Sequence, residues 1–410
     1  MRTLITGCRV LTPFEELSPG AILIVDGRIR WVGPPEGAPG EGRAPAADRV
    51  VEAAGQVAVP GFIDVHVQGA GGSDVLDAGL EALERISSTC ARFGVTGFLA
   101  TTVYRPGEDN RHLEVAAAAC GPTLSGADLL GLHLEGPFIA AGKRGMIQPD
   151  CLSEVRLDGA GGLPVLEDIL ERCAGTLKMM TVAPELPGAL ELIGRLVGEG
   201  AVASFGHSQA GYEETLAGID VGIRHATHLF NAMNGLHHRK PGPLAALWER
   251  PEVTVQLICD GVHVQAPVLR LCAALFGAER LVLITDGIRA SGMRDGTTDL
   301  GGRPVTVVGG AARLPEGTLA GSVLTMDAAV RGAVAAGVPL EAALFAASTA
   351  PARYLGLEDR GALVPGARAD LVLLSPKLMV RAVALGGRWV VGASPTDDAT
   401  YEGEPGRGSG

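Results

Sequence analysis

The chain has 410 residues, 47% of them hydrophobic, 20% charged and 4% aromatic, with a formal net charge of −12. That length exceeds the roughly 250–300 residues at which a single hydrophobic core stops growing, so one large unit and one smaller one are expected. The apolar content excludes a disordered, tail-like protein, and the acidic balance argues against nucleic acid or an anionic membrane surface as the main partner.

Between Met1 and Val59 the runs LITGCRVLTP, AILIVDGRIRWVG and RVVEAAGQVAVP alternate with period two and break at Gly, Pro and Asp, with Asp26-Gly27 as a hairpin turn. The same texture returns in ADLVLLSP and VRAVALGGRWVVGA, around Gly386-Gly387. Segments 1–59 and 352–410 are therefore expected to form one small β unit. The last residues, TYEGEPGRGSG, read as a frayed tail. No apolar h-region follows the start, and nowhere do about 18 uncharged apolar residues run together. The seven cysteines, Cys8, Cys90, Cys120, Cys151, Cys173, Cys259 and Cys272, include no C-x-x-C pair. A soluble cytoplasmic protein with reduced thiols is expected, with no membrane partner.

Residues 60–351 behave differently. Eight apolar, β-branched runs begin at Gly61, Gly94, Leu129, Leu177, Ala201, Ile223, Val253 and Leu281, separated by amphipathic helical stretches such as LEALERISSTCARF and ALELIGRLVGEG. Eight such units are the length of a (β/α)8 TIM barrel. Chemistry-bearing residues close nearly every run: His66, Thr101-Thr102, His133 and Glu135, Glu185, His207, His228, Asp260 with His263, and Asp286. In a parallel barrel these ends converge on one face. A doubly wound open sheet, which gathers its site at one switch point, is the alternative fold.

Glu135, His207 and His228 offer imidazole and carboxylate donors suited to a borderline divalent ion such as zinc. Asp286, closing the eighth run, suits a general base beside such an ion. The competing reading makes Glu135 and Asp286 caps of following helices. His133 shares a face with Glu135 and either orients a ligand or fills the core. His112, in a helical polar context, reads as solvated.

PGFIDVHVQGAGG, GLHLEGPFI, TVAPE, GHSQA, ATHLFNAM, DGVHV, LITDGIRASG, GTLAGSVLTM and PGARADLVLL occur in this order from about Gly7 to Val391. Together they resemble the N-acetylglucosamine-6-phosphate deacetylase family of the amidohydrolase superfamily. The resemblance implies a metal-dependent (β/α)8 barrel with a small β-sandwich built from both termini, a homodimer, and hydrolysis of an amino-sugar 6-phosphate acetamide to acetate and the free amine. It implies Glu135, His207 and His228 as metal ligands, Asp286 as general base and then acid, and His263 as the residue that binds and polarises the substrate carbonyl. Asn231, Ala232 and Arg239 match positions that hold the sugar phosphate, and Leu319, Ala320 and Gly321 match a loop against the substrate.

Two departures bear on these expectations. Where many superfamily members carry His-x-His and two metals, this chain has His66-Val67-Gln68, so one ion per subunit is expected, with a second at best partial through His66. Where some members place a histidine that reaches the neighbouring subunit's phosphate, this chain has Ile147, which leaves Gln148, His237 or His238 as replacements; an exposed loop is the other reading of the histidine pair. Competing functions are the galactosamine epimer, a cyclic amidase or deaminase on the same scaffold, and a catalytically silent sugar-phosphate binder.

Overall fold

The computed structural model describes residues 1–37, 47–156 and 163–392; the tail expected to fray lies outside them. Asp26 and Gly27 have φ of 50° and 79°, the left-handed pair that a tight hairpin matched to strand twist demands. They fold β2 (Glu16–Val25) onto β3 (Arg28–Gly33), while β1 (Arg2–Leu11) lies antiparallel along the other edge of β2. The register of β1 shifts between Thr6 and Cys8 and again before Val10. Its first half accordingly runs parallel to β4 (Arg49–Glu52) and its second half to β5 (Val57–Pro60). One bulged strand serving two partners turns the sheet around a core of Ile5, Val10, Ile22, Ile29 and Leu373. Strands Leu371–Leu374, Val380–Leu385 and Arg388–Val391 continue the same eight-stranded sheet beyond β5, so both chain ends share one ladder.

The central segment supplies the expected eight parallel strands: β6 (Phe62–Val67), β7 (Val95–Thr102), β8 (Asp128–Glu135), β9 (Leu177–Val182), β10 (Val202–Phe205), β11 (His225–Ala226), β12 (Thr254–Ile258) and β13 (Leu281–Ile284). Each pairs with the next in sequence order, which is barrel topology and not the doubly wound order. The seam between β13 and β6 is sparse. It closes through a parallel bridge from Val67 to Gly287, whose carbonyl accepts the N–H groups of Gln68 and Gly69, both at 2.9 Å. Ile63, Val65, Leu99, Met179, Ile258 and Val282 fill the barrel interior. Outside, helices such as Leu80–Arg92 bury Leu83, Ile86 and Cys90, spaced three and four residues apart, and keep their charges in water.

Barrel and terminal sheet meet over a buried ion network. Asp128, at the start of β8, and Asp370, just before Leu371–Leu374, are 3% or less exposed, and both are gripped by Arg360 and Arg368. Arg360 lies 2.9 Å from Asp370 and 2.5 Å from Asp128, and Arg368 lies 3.0 and 2.6 Å from the same pair. Burial raises the Asp370 pKa despite the pull of both guanidinium groups. No helix among the described residues is long and apolar enough to cross a membrane.

Removing one member of a buried network leaves charge without a partner, which costs about 3–5 kcal/mol. Asp128→Ala is expected to lower the unfolding free energy by that amount, read as a reduced urea midpoint at unchanged slope. A loss below about 1 kcal/mol would show that the two arginines are adequately solvated without it.

Candidate metal centre and active site

Left-handed backbone, costly for residues other than glycine, concentrates at the barrel's C-terminal face. His207 (φ 48°), His228 (27°), Phe230 (77°), Ala232 (52°) and Asp286 (49°) all occupy it, directly after strands β10, β11 and β13. Strained conformations of this kind persist where the surrounding structure over-determines them, commonly at functional sites. Each turn swings its side chain inward over the mouth of the barrel.

Three donor atoms meet there. Glu135 Oε1 lies 3.2 Å from His207 Nε2 and 3.1 Å from His228 Nε2, and the two imidazole nitrogens are 3.0 Å apart. On the other side of the same carboxylate, His66 Nε2 is 3.5 Å from Glu135 Oε2 and 3.1 Å from Asp286 Oδ1. Gln68 Nε2 bridges those carboxylates, donating to Glu135 Oε2 at 3.2 Å and to Asp286 Oδ1 at 3.1 Å. Glu135 is thus shared by two trios able to hold a metal ion, Glu135–His207–His228 and His66–Glu135–Asp286.

The tautomers decide what this geometry means. His207 Nδ1 sits 2.8 Å from the Lys143 carbonyl, an acceptor only, so Nδ1 carries the proton and Nε2 turns a lone pair toward Glu135. His66 Nδ1 likewise donates to Gln256 Oε1 at 3.1 Å, an oxygen that also accepts the His228 backbone N–H. Lone pairs on buried nitrogen and carboxylate oxygen at these distances repel each other unless a cation or proton lies between them. The donor set therefore fits a divalent ion with nitrogen and oxygen ligands. Burial by itself would lower the His66 pKa, but the Glu135 and Asp286 carboxylates overcome it and hold it well above the usual histidine value. Burial opposes ionisation of Glu135 too, yet His66, His207 and His228 keep it well below the ordinary carboxylate range. His228 is lowered by burial.

Asp286 does not cap a helix: no helix follows it before Met326–Ala335, and its carboxylate faces His66 and Gln68. His263 follows β12. Its Nδ1 lies 2.6 Å from Asp260 Oδ2, while Asp260 Oδ1 accepts the backbone N–H groups of Val262 and His263, each at 2.8 Å. Burial counts against the charged form of His263, but the bond to Asp260 raises its pKa overall.

The centre and the barrel beneath it carry the amidohydrolase signature. The chain belongs to the amidohydrolase family. The family model matches residues 57–390. An N-acetylgalactosamine-6-phosphate deacetylase of Escherichia coli O157:H7 is 35% identical over 383 residues, covering 93% of this chain and 97% of its own length. An N-acetylglucosamine-6-phosphate deacetylase of Bacillus subtilis is 34% identical, covering 91% and 93%. Among solved structures, the Mycobacterium smegmatis N-acetylglucosamine-6-phosphate deacetylase in complex with N-acetyl-D-glucosamine-6-phosphate superposes with a TM-score of 0.86, at 38% identity over 95% of this chain and 99% of that one.

Around this amidohydrolase centre the remaining candidates divide. The Asn231 side chain donates to the His228 and Leu229 carbonyls, and the Ala232 carbonyl accepts the Ser208 N–H, so their loop is tied to the two ligand turns. The 319–321 loop lies against Asp286: Ser322 N–H donates to the Asp286 carbonyl at 2.8 Å, and a Cβ on Gly321 (φ 56°) would come 3.1 Å from that oxygen. Arg239 is exposed, 2.7 Å from His238 Nε2, and His237 and His238 are exposed beside it with ring centroids 4.3 Å apart. Ile147 is buried against Ile139 and Cys151, and Gln148 donates to the Gly301 carbonyl. A narrow cleft opens beside Gln68, walled by Leu76, Thr102, Arg105, Ile147 and Leu300.

Several residues stand elsewhere than the sequence suggests. His112 is buried, not solvated: its Nε2 lies 2.9 Å from the Val103 carbonyl, because that helix packs its histidine-bearing face onto the loop leaving β7. Glu185 turns from the centre and accepts the Ser208 hydroxyl and the Gln209 N–H. His133 bonds Thr181 and Thr101 through its two ring nitrogens and sets its ring edge-on to His66 at 4.7 Å. Sequence reasoning passed over Gln256 and Lys143. Gln256 had a signal, being a lone amide inside the apolar run VTVQLI, whereas Lys143 acts through its carbonyl, which side-chain identity does not reveal.

Proposed function

We propose that the protein hydrolyses the acetamide of N-acetylglucosamine 6-phosphate to glucosamine 6-phosphate and acetate in amino-sugar catabolism. The observation that carries this reading is the convergence of Glu135, His207 and His228 with Asp286 beside them, in a chain whose relatives over most of its length bear amino-sugar-phosphate deacetylase names. The galactosamine epimer is the second reading, favoured by the Escherichia coli relative. The same proposal makes the enzyme a cytoplasmic homodimer.

Glu135, His207 and His228 hold the ion, zinc being the best match to their donors. A divalent ion there supplies Lewis acidity and lowers the pKa of water from 15.7 toward about 7. Asp286 takes the proton of the attacking water as its oxygen joins the acyl carbon. When the C–N bond breaks, Asp286 returns that proton to the amine, a leaving group too poor to depart unprotonated. His263, fixed by Asp260, polarises the acyl carbonyl and steadies the oxyanion. Asn231, Ala232 and Arg239 hold the 6-phosphate, Arg239 through a bidentate pair, and Leu319, Ala320 and Gly321 lie against the sugar.

One equivalent of divalent metal is expected to remain per chain after dialysis, measured by elemental analysis, and Glu135→Gln should lose it; two tightly held equivalents would overturn the single-ion reading and give His66 the role of a full ligand. Acetate release from the metal-loaded enzyme should be detected with the 6-phosphates of both N-acetyl epimers offered separately. Asp286→Asn should lower kcat by about 10²–10⁴-fold, and binding of the sugar phosphate without acetate release by the wild type would point instead to a silent binder. Arg239→Ala should raise KM for the phosphorylated substrate at least tenfold and leave the unphosphorylated sugar unaffected. Equal effects on both would favour an amidase without a phosphate anchor.

A further inference from the structure

The barrel seam raises a question that the metal centre does not answer: Asp286 follows the last strand and His66 stands on the first, and these strands share no continuous ladder among the described residues. Something else has to set their 3.1 Å separation. Asp64 precedes His66 by two residues in the run FIDVHVQ, and the pairing of β6 with β7 shifts register between Asp64 and Val67. It is buried, 1% exposed, and lies one step below the metal centre. Its Oδ1 accepts the His66 N–H at 3.2 Å and the Thr285 N–H across the seam at 3.4 Å. Its Oδ2 accepts the Thr285 hydroxyl at 2.6 Å, and that hydroxyl in turn accepts the Gly287 N–H at 3.2 Å.

Asp286 therefore sits, in its left-handed conformation, between Thr285, tied to the Asp64 carboxylate, and Gly287, tied to the Thr285 hydroxyl. From the far side, Ser322 closes the brace, its hydroxyl donating to the Thr285 carbonyl at 2.5 Å and its N–H to the Asp286 carbonyl. A neutral residue would suit this buried position better, since burying a carboxylate is costly unless its bonds fulfil a need. We propose that Asp64, acting through the Thr285 hydroxyl, is a positioning residue that clamps the barrel seam and holds the Asp286 carboxylate in register with the His66–Glu135 side of the metal centre. It touches no reacting atom. The proposal rests on the catalytic role given to Asp286 above.

Asp64→Ala would leave the seam unbraced and could fail to fold, so the decisive pair is Thr285→Val, which removes only the hydroxyl, and Thr285→Ser, which restores it. In the metal-loaded full-length protein, Thr285→Val is expected to speed hydrogen exchange at least tenfold in residues 64–69 and 284–288 with the rest of the barrel unchanged. With the sugar-phosphate substrates it should lower kcat at least tenfold while KM stays within twofold, and Thr285→Ser should recover both within threefold. Unchanged exchange across the seam in Thr285→Val overturns the clamp, as does wild-type kcat with faster exchange. A wild type that releases no acetate would instead overturn the deacetylase reading, and the exchange measurement would still decide whether the clamp exists.

Discussion

A single carboxylate organises the upper barrel. Glu135 is buried, faces three imidazole nitrogens and one amide, and belongs to both trios able to hold a metal. Such a group is tolerable only where opposite charge compensates it, because an isolated buried carboxylate would protonate or unfold its surroundings. The strand ends, turn conformations and tautomers of the site can all be understood as satisfying that one requirement. The Lys143 carbonyl and the Gln256 amide oxygen each fix a ring proton away from the centre, which leaves His207 Nε2 as a donor of an electron pair toward Glu135.

Beneath this layer the interior is polar in a controlled way. His133, Thr181, Thr227 and Ser204 form a chain of hydroxyl and imidazole contacts at 2.7–2.8 Å under the ligands. Burial drives the His133 pKa well below the usual value, so it stays neutral and adds no positive charge to compete with a bound cation. His225, one strand further down, is pushed to about 3 by burial and stacks on Tyr354 at 4.5 Å. His66, set between the Glu135 and Asp286 carboxylates, is instead held toward its cationic form, whereas burial lowers His228.

Much of the architecture was readable in advance because parallel barrels advertise themselves: eight β-branched runs, helices between them, and reactive residues where each run ends. Glu135, His207, His228 and Asp286 were legible for that reason, each being the last polar residue of its run. The hairpins were legible from Asp26-Gly27 and Gly386-Gly387, whose backbones both take the left-handed pair. What escaped was whatever depends on partners distant in sequence. His112 looked solvated because its own helix is polar, and its burial follows from a carbonyl nine residues earlier. Arg360 and Arg368 likewise owe their role to Asp128, over 230 residues away, which only the fold places between them. Gln68, which stands where other members carry a second histidine, acts as a donor that links two carboxylates.

The acidic surface and a phosphate-bearing substrate are compatible once charge is considered locally. A net charge of −12 spread over a molecule this size is screened within about 8 Å at physiological ionic strength. The loop 237–240 presents two histidines, an arginine and a lysine in succession at the metal-bearing face. A dianion meeting that loop encounters its field and not the global one, and the same acidity that repels polyanions leaves a small phosphate free to reach it. Ile147 removes one cation that other family arrangements supply, so in the proposed reading a greater share of phosphate affinity falls on Arg239. Being exposed, that arginine gains most of its strength only when the sugar phosphate covers it and excludes water.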